Sequence, residues 1–301
     1  MTEQYEKTPE EEWVEKNAPK VLGVDEKDLI TTQLITIVDK YDEVIVKDIL
    51  GVFNHKNTKE ILNTRRSGSF AKAHSHIINM CFALVSVNVH CRNYFNKLES
   101  AREHASKEML SWDSKYETAI YNQEITVEII GALMSFKTAL DCLSQALAAM
   151  YGYSLKTWGD NGNKVLKALN NNLTEKDKPS AERLISFIER HRADTKDYIN
   201  LRDNLGHGLT DYKDTLSGFF KRKDDIKPQN PRVQINDKVI DTYDLMEACR
   251  RFSGQYCREV VALSLSNIVP GITVGISDGR YIWSHNFFAS TDLKTGKTEF
   301  L

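Results

Sequence analysis

Between Phe70 and Met150 the chain holds no proline and a single glycine, Gly131. A stretch of that length without a helix breaker limits the possible folds more than any other feature of the sequence. Within it Ile129, Leu133, Phe136, Leu140, Leu143, Leu147 and Met150 recur at alternating steps of four and three. That spacing lays one apolar stripe along a helix and predicts a long packed element. A second long helix is predicted over about 70–108, although its "CFALVSVNVH" is rich in β-branched residues. Two such helices lying antiparallel form the spine of a bundle.

The flanking segments are read in the same way. Residues 1 to about 25 are charged and are expected to be ordered only in part. From Asp28 the positions Leu29, Ile30, Leu34, Ile37, Val38, Tyr41, Val44, Ile45 and Ile49 carry helical spacing towards Leu62, and "RRSGS" at 65–69 ends it. "GYSLKTWGDNGNK" reads as a loop, followed by a short helix at 163–172. "DKPSAERL" starts another helix, with Pro179 in its first turn and Ser180 as its N-cap, and this helix is expected to run into "YINLRDNLGHGLT". "PRVQINDKVID" predicts a hairpin turning at Asn236-Asp237, a helix follows over 242–266, and "ITVGISDGRYIWSH" predicts two strands joined at Asp278-Gly279. The expected fold is mainly α, an antiparallel helical bundle with small β-hairpin additions near the C-terminus. Its expected divisions are an acidic tail and helical segment at 1–66, a helical domain at 67–266 and a β-hairpin extension at 267–301.

Composition excludes several classes. The net charge of -2 supplies no global field for nucleic acid or anionic lipid, so any polyanion site is a local patch. The five cysteines, Cys81, Cys91, Cys142, Cys249 and Cys257, show neither C-x-x-C nor zinc spacing, which predicts reduced, buried thiols in a cytoplasmic protein. "MTEQYEKTPEEEWVEKN" lacks the apolar core of a signal peptide. No apolar run reaches the roughly 20 residues of a membrane helix.

Arg202 and His207 raise the question of chemistry. R-x(4–6)-H is a cheap pattern: with 8 histidines, chance alone supplies about one match in this chain, and there are two, Arg202…His207 and Arg280…His285. Context separates them. In "RYIWSH" the residues are β-prone, and positions five apart in a strand face opposite ways, so Arg280 and His285 are read as structural. In the first match Leu184, Ile188, Tyr198, Arg202 and Leu205 form one seam, which places the arginine stem on an apolar face. A cation there is costly without an anion or a partner subunit. Asp203 and Asn204 follow at once, and Gly206 and Gly208 are expected to end the helix and let the imidazole swing round. Downstream, Lys213, Lys221, Arg222 and Lys223 with two phenylalanines offer a surface for phosphates and stacked bases.

"RDNLGHG" in this setting resembles the motif of the HEPN superfamily, R-x(4–6)-H with a polar residue just after the arginine. "MSFKTALDCLSQALAAMYG" is similar to the long helix that packs beside it in that family. The resemblance covers roughly 70–265. It implies a helical domain that forms a homodimer with two motifs facing each other, and metal-independent endoribonuclease activity in toxin–antitoxin or phage-defence systems. Other members of the superfamily keep the fold without cleaving. Arg202 and His207 match the catalytic pair and Asp203 the polar position. Asn204, Lys213, Lys221, Arg222 and Lys223 are the candidate substrate contacts. No cofactor or metal is implied; RNA is the expected partner, with a possible antitoxin or regulatory protein.

The remaining candidates carry bland readings. His74 and His76 with Cys81 lack the i, i+4 spacing of helical metal ligands. His191 lies three turns before Arg202 and is read as a hydrogen-bonded helix histidine. "GDNGN" lacks the strand and spacing of a phosphate loop.

Overall fold

The computed structural model describes residues 49–50, 53, 56–65, 67–110, 118–159, 161–173, 178–207, 216–222, 225, 227–235, 238–269, 275–277, 280–282, 289–291 and 298–300. The side chains at 56–57, 110, 118, 178–180, 206–207 and in the last four of those segments lie outside the description. The predicted helix over 29–62 falls mostly outside it.

Seven helices and four antiparallel strand pairs are described, so the fold is mainly α with small β additions, as the sequence predicts. Helix α1 spans Lys56–Arg65 and α2 spans Ser69–Leu110. Strand β1 (Thr118–Ile120) leads into α3 (Gln123–Tyr151). The β-branched run in α2 does not break it, because Val85 and Val87 are buried in the core and tertiary packing overrides weak propensity. Asn122 opens α3, its side chain accepting the Ile125 N–H at 3.1 Å. Gly152 closes it in the left-handed region, φ 80°, with its N–H donating to the Ala148 carbonyl. Helices α2 and α3 form an antiparallel pair in which Ser86 meets Ser135 and His90 meets Glu128.

Next come α4 (Asn163–Asn172), α5 (Lys178–Arg190) and α6 (Arg192–His207). Two expectations are corrected here. Ser180 is not an N-cap, since the helix already begins at Lys178 and Ser180 is its third residue. The run into the motif is two helices rather than one: a turn at His191 separates α5 from α6. The expected seam therefore divides, with Leu184 and Ile188 on α5 and Tyr198, Arg202 and Leu205 on α6.

Strand β2 (Phe219–Lys221) pairs with β1, Ala119 opposite Phe220, a pairing between distant segments that no local pattern announces. The predicted hairpin is β3 (Arg232–Ile235) with β4 (Lys238–Asp241), and helix α7 (Thr242–Ile268) follows with the Asp241 carboxylate accepting the Tyr243 N–H. Strands β5 (Gly275–Ser277) and β6 (Arg280–Ile282) pair as expected, with Ser277 opposite Arg280. The pair β7 (Ala289–Thr291) and β8 (Thr298–Phe300) is an addition to the expected fold. Helix α7 packs antiparallel to α2: the Tyr94 and Thr242 hydroxyls lie 2.6 Å apart, and the Cys91 thiol donates to the Met246 carbonyl. The core lies between α2, α3 and α7, centred on Tyr94, Phe136, Leu140, Leu143 and Tyr256.

The Asp141 carboxylate fastens the loop after α3, accepting from Lys137 Nζ, Thr157 Oγ1 and the Trp158 N–H. All five cysteines are free, four of them buried, and burial raises the thiol pKa of Cys91 to about 12. Among the described residues no helix is long and apolar enough to cross a membrane.

Candidate active site

Helix α6 carries the motif, and its register follows from the rings it packs on. Phe187 on α5 stacks against Tyr256 of α7, and Tyr198, further along, stacks against Phe252. Tyr198 also meets Phe136 of α3 edge-on, and Ile199, Leu201 and Leu205 are buried.

Arg202 lies at the edge of the buried seam, its side chain 21% exposed. Its Nη1 lies 2.8 Å from Oδ1 of Asp203. Its Nε is shielded from solvent and has no hydrogen-bond partner among the described residues. Asn204 is exposed. Helix α6 continues through Gly206 and ends at His207, between the two glycines expected to end it. Arg202 and His207 are thus five residues apart on one helix, rotated by about 140° about its axis. The His207 side chain, with Gly208 and Lys213, lies outside the described residues.

Of the distal cations, Lys221 closes β2 opposite Thr118, and the Arg222 backbone N–H donates to Asp225. Lys223 lies outside the described residues. No hydrogen bond or ion pair among the described residues joins Lys221 or Arg222 to Arg202. Next to them the Arg232 guanidinium lies 4.7 Å from the centre of the Phe220 ring. The structure therefore brings Arg202 and Asp203 together.

No family model, curated protein or solved structure matches this chain.

The bland readings meet their surroundings as follows. His191 sits at the α5–α6 turn against Phe187 and Phe252, with Nδ1 3.0 Å from Asp194. His74 stacks with Phe70 and Phe53, and burial lowers its pKa. Among the described residues no group of three or more His, Cys, Asp or Glu side chains is placed to hold a metal.

One polar cluster escaped the sequence reading. The buried Glu128 on α3 receives Lys97 Nζ at 2.7 Å and lies 2.8 Å from His90 Nδ1, both on α2. Burial pushes the Glu128 carboxyl up, but the bonds from Lys97 and His90 outweigh it and the net shift is down. A Cβ at Gly131 would lie 2.5 Å from Cε1 of His90, so the lone glycine of α2 and α3 makes room for this imidazole. That glycine was the available signal. Towards the start of α3 lies a cavity of about 390 Å³ lined in part by Ser100, His104, Tyr121 and Glu124.

Proposed function

We propose that this chain is a metal-independent endoribonuclease of HEPN type that acts as a homodimer. The observation that carries the reading is Arg202: a guanidinium with its stem on the core, one prong held by Asp203 and a shielded Nε–H without an acceptor among the described residues. The part of that guanidinium still open to solvent suits an oxyanion from outside the chain.

RNA carries its own nucleophile, the 2′-hydroxyl. Its attack on the adjacent phosphorus expels the 5′-oxygen and leaves a 2′,3′-cyclic phosphate, so proton transfer and charge stabilisation suffice. Arg202 holds the phosphoryl oxygens as negative charge develops on them. His207 is assigned the proton transfer, since an imidazole titrates near neutral pH. Asp203 occupies the polar position and contacts the guanidinium; Asn204, Lys213, Lys221, Arg222 and Lys223 are assigned to the RNA strand. Because one helix sets Arg202 and His207 about 140° apart, the pair is completed across a two-fold axis. Toxin–antitoxin or phage-defence work in the cytoplasm, with an antitoxin or regulatory protein as partner, belongs to the same reading.

Because Arg202 and His207 lie on one helix, about 140° apart around its axis, a second reading is favoured, a catalytically silent helical module that binds RNA, nucleotide or a protein partner. One assay separates them. RNA is incubated with wild type, Arg202→Ala and His207→Ala in the presence of EDTA, and the product ends are identified. Cyclic phosphate ends from wild type alone support the nuclease. Binding without cleavage supports the silent module, and equal cleavage by all three removes the site.

A further inference from the structure

Arg202 and Asp203 are adjacent in sequence, and adjacent residues on a helix leave the axis about 100° apart. Their side chains meet only by leaning towards each other, yet they approach to 2.8 Å. The two halves of the pair differ. The guanidinium is 21% exposed and stands on a buried seam, whereas the carboxylate is 43% exposed. No other described residue bonds to Asp203. The carboxylate is therefore the half free to move away while the arginine stays in place.

A carboxylate offers a guanidinium the same charge sign and oxygen geometry that a phosphoryl group offers. With Asp203 in place, an arriving phosphate finds Nη1 occupied, Nε shielded and a like charge beside both. We infer that Asp203 is a built-in competitor: it holds Arg202 when the site is empty and leaves when a phosphate takes the fork. The inference rests on the phosphate-binding part of the proposed function and adds a control to it. The control is a soft one, because an ion pair this exposed is displaced at a cost of no more than about fivefold in affinity. A phosphodiester that engages two guanidinium nitrogens exceeds that, whereas a weak single contact does not.

The test uses inorganic phosphate and the full chain. The Nε–Hε resonance of Arg202 is assigned by its loss in Arg202→Lys and followed as phosphate is added to wild type, Asp203→Asn and Asp203→Ser. Both Asp203 variants are expected to bind roughly two- to fivefold more tightly than wild type, with a larger movement of that resonance. Equal or weaker binding in both variants, or no binding in any protein, overturns the inference. Unchanged phosphate affinity with lost RNA cleavage also overturns it, since Asp203 then positions a catalytic group rather than competing for Arg202. Failure of the nuclease reading looks different: the Asp203 variants still gain phosphate affinity while no protein cuts RNA.

Discussion

Gly131 stands in mid-helix, where glycine costs about 1 kcal/mol relative to alanine. The His90 ring accounts for it, because a methyl group at 131 would collide with the imidazole. Gly131→Ala is expected to lower stability by about 1–3 kcal/mol despite its better helix propensity, since His90 must abandon Glu128. Thermal unfolding of Gly131→Ala, His90→Ala and the double variant checks this; the double variant should recover most of the loss, and strict additivity would show that the ring is not the obstacle. Glu128 makes a pH prediction. Its folded pKa lies below the ordinary carboxylate value, so its stabilising contribution is present above that ordinary value and disappears as pH falls through the lowered one. Glu128→Gln should therefore flatten the acid side of a stability–pH curve measured by thermal unfolding.

At the scale of elements, α3 was legible because its apolar spacing spans many turns in one stripe, and α2 because no proline or glycine interrupts it. The hairpins at Asn236-Asp237 and Asp278-Gly279 were legible because two-residue turns between β-prone runs are a local signal. The division of α5 from α6 was not, because no proline or glycine stands at His191 and the backbone bonds nearly continue across it: His191 N–H reaches the Phe187 carbonyl and Thr195 N–H the His191 carbonyl. The end of α6 was legible, since it falls at His207 between Gly206 and Gly208 and glycine lets a helix stop. The β1–β2 pair joins residues about a hundred apart, and it depends on Gly218, where a Cβ would fall 2.5 Å from the carbonyl carbon and oxygen of Ile120. Backbone cannot swing aside as a flexible side chain can. Gly218→Ala is expected to cost about 1–3 kcal/mol and to raise amide exchange at 118–120 and 219–221 before the rest of the bundle. Protection equal to wild type there would show that the strands tolerate the methyl group.

For the whole molecule the decisive question is whether one chain holds a complete site. Two residues on one helix at about 140° do not converge, so the proposed nuclease predicts composite sites built from Arg202 of one copy and His207 of the other. Mixing inactive Arg202→Ala and His207→Ala proteins should then restore roughly a quarter of wild-type RNA cleavage, since half the dimers are mixed and each of those holds one intact site. Complementation that fails although mixed dimers form would place both residues of a site in one chain. Activity per chain should also fall on dilution as dimers separate.

The chain's apolar periodicity was enough to settle that this is a helical bundle and which faces of its long helices turn inward, because burial of a stripe depends only on spacing along the helix. It was also enough to single out Arg202, a cation on an apolar seam. What the periodicity could not settle was how separate elements meet: His90 over Gly131 and Gly218 against Ile120. Those contacts follow from distances between helices and strands, which pattern along one chain does not encode, and they decide where a charge is satisfied and where a donor is left unpaired.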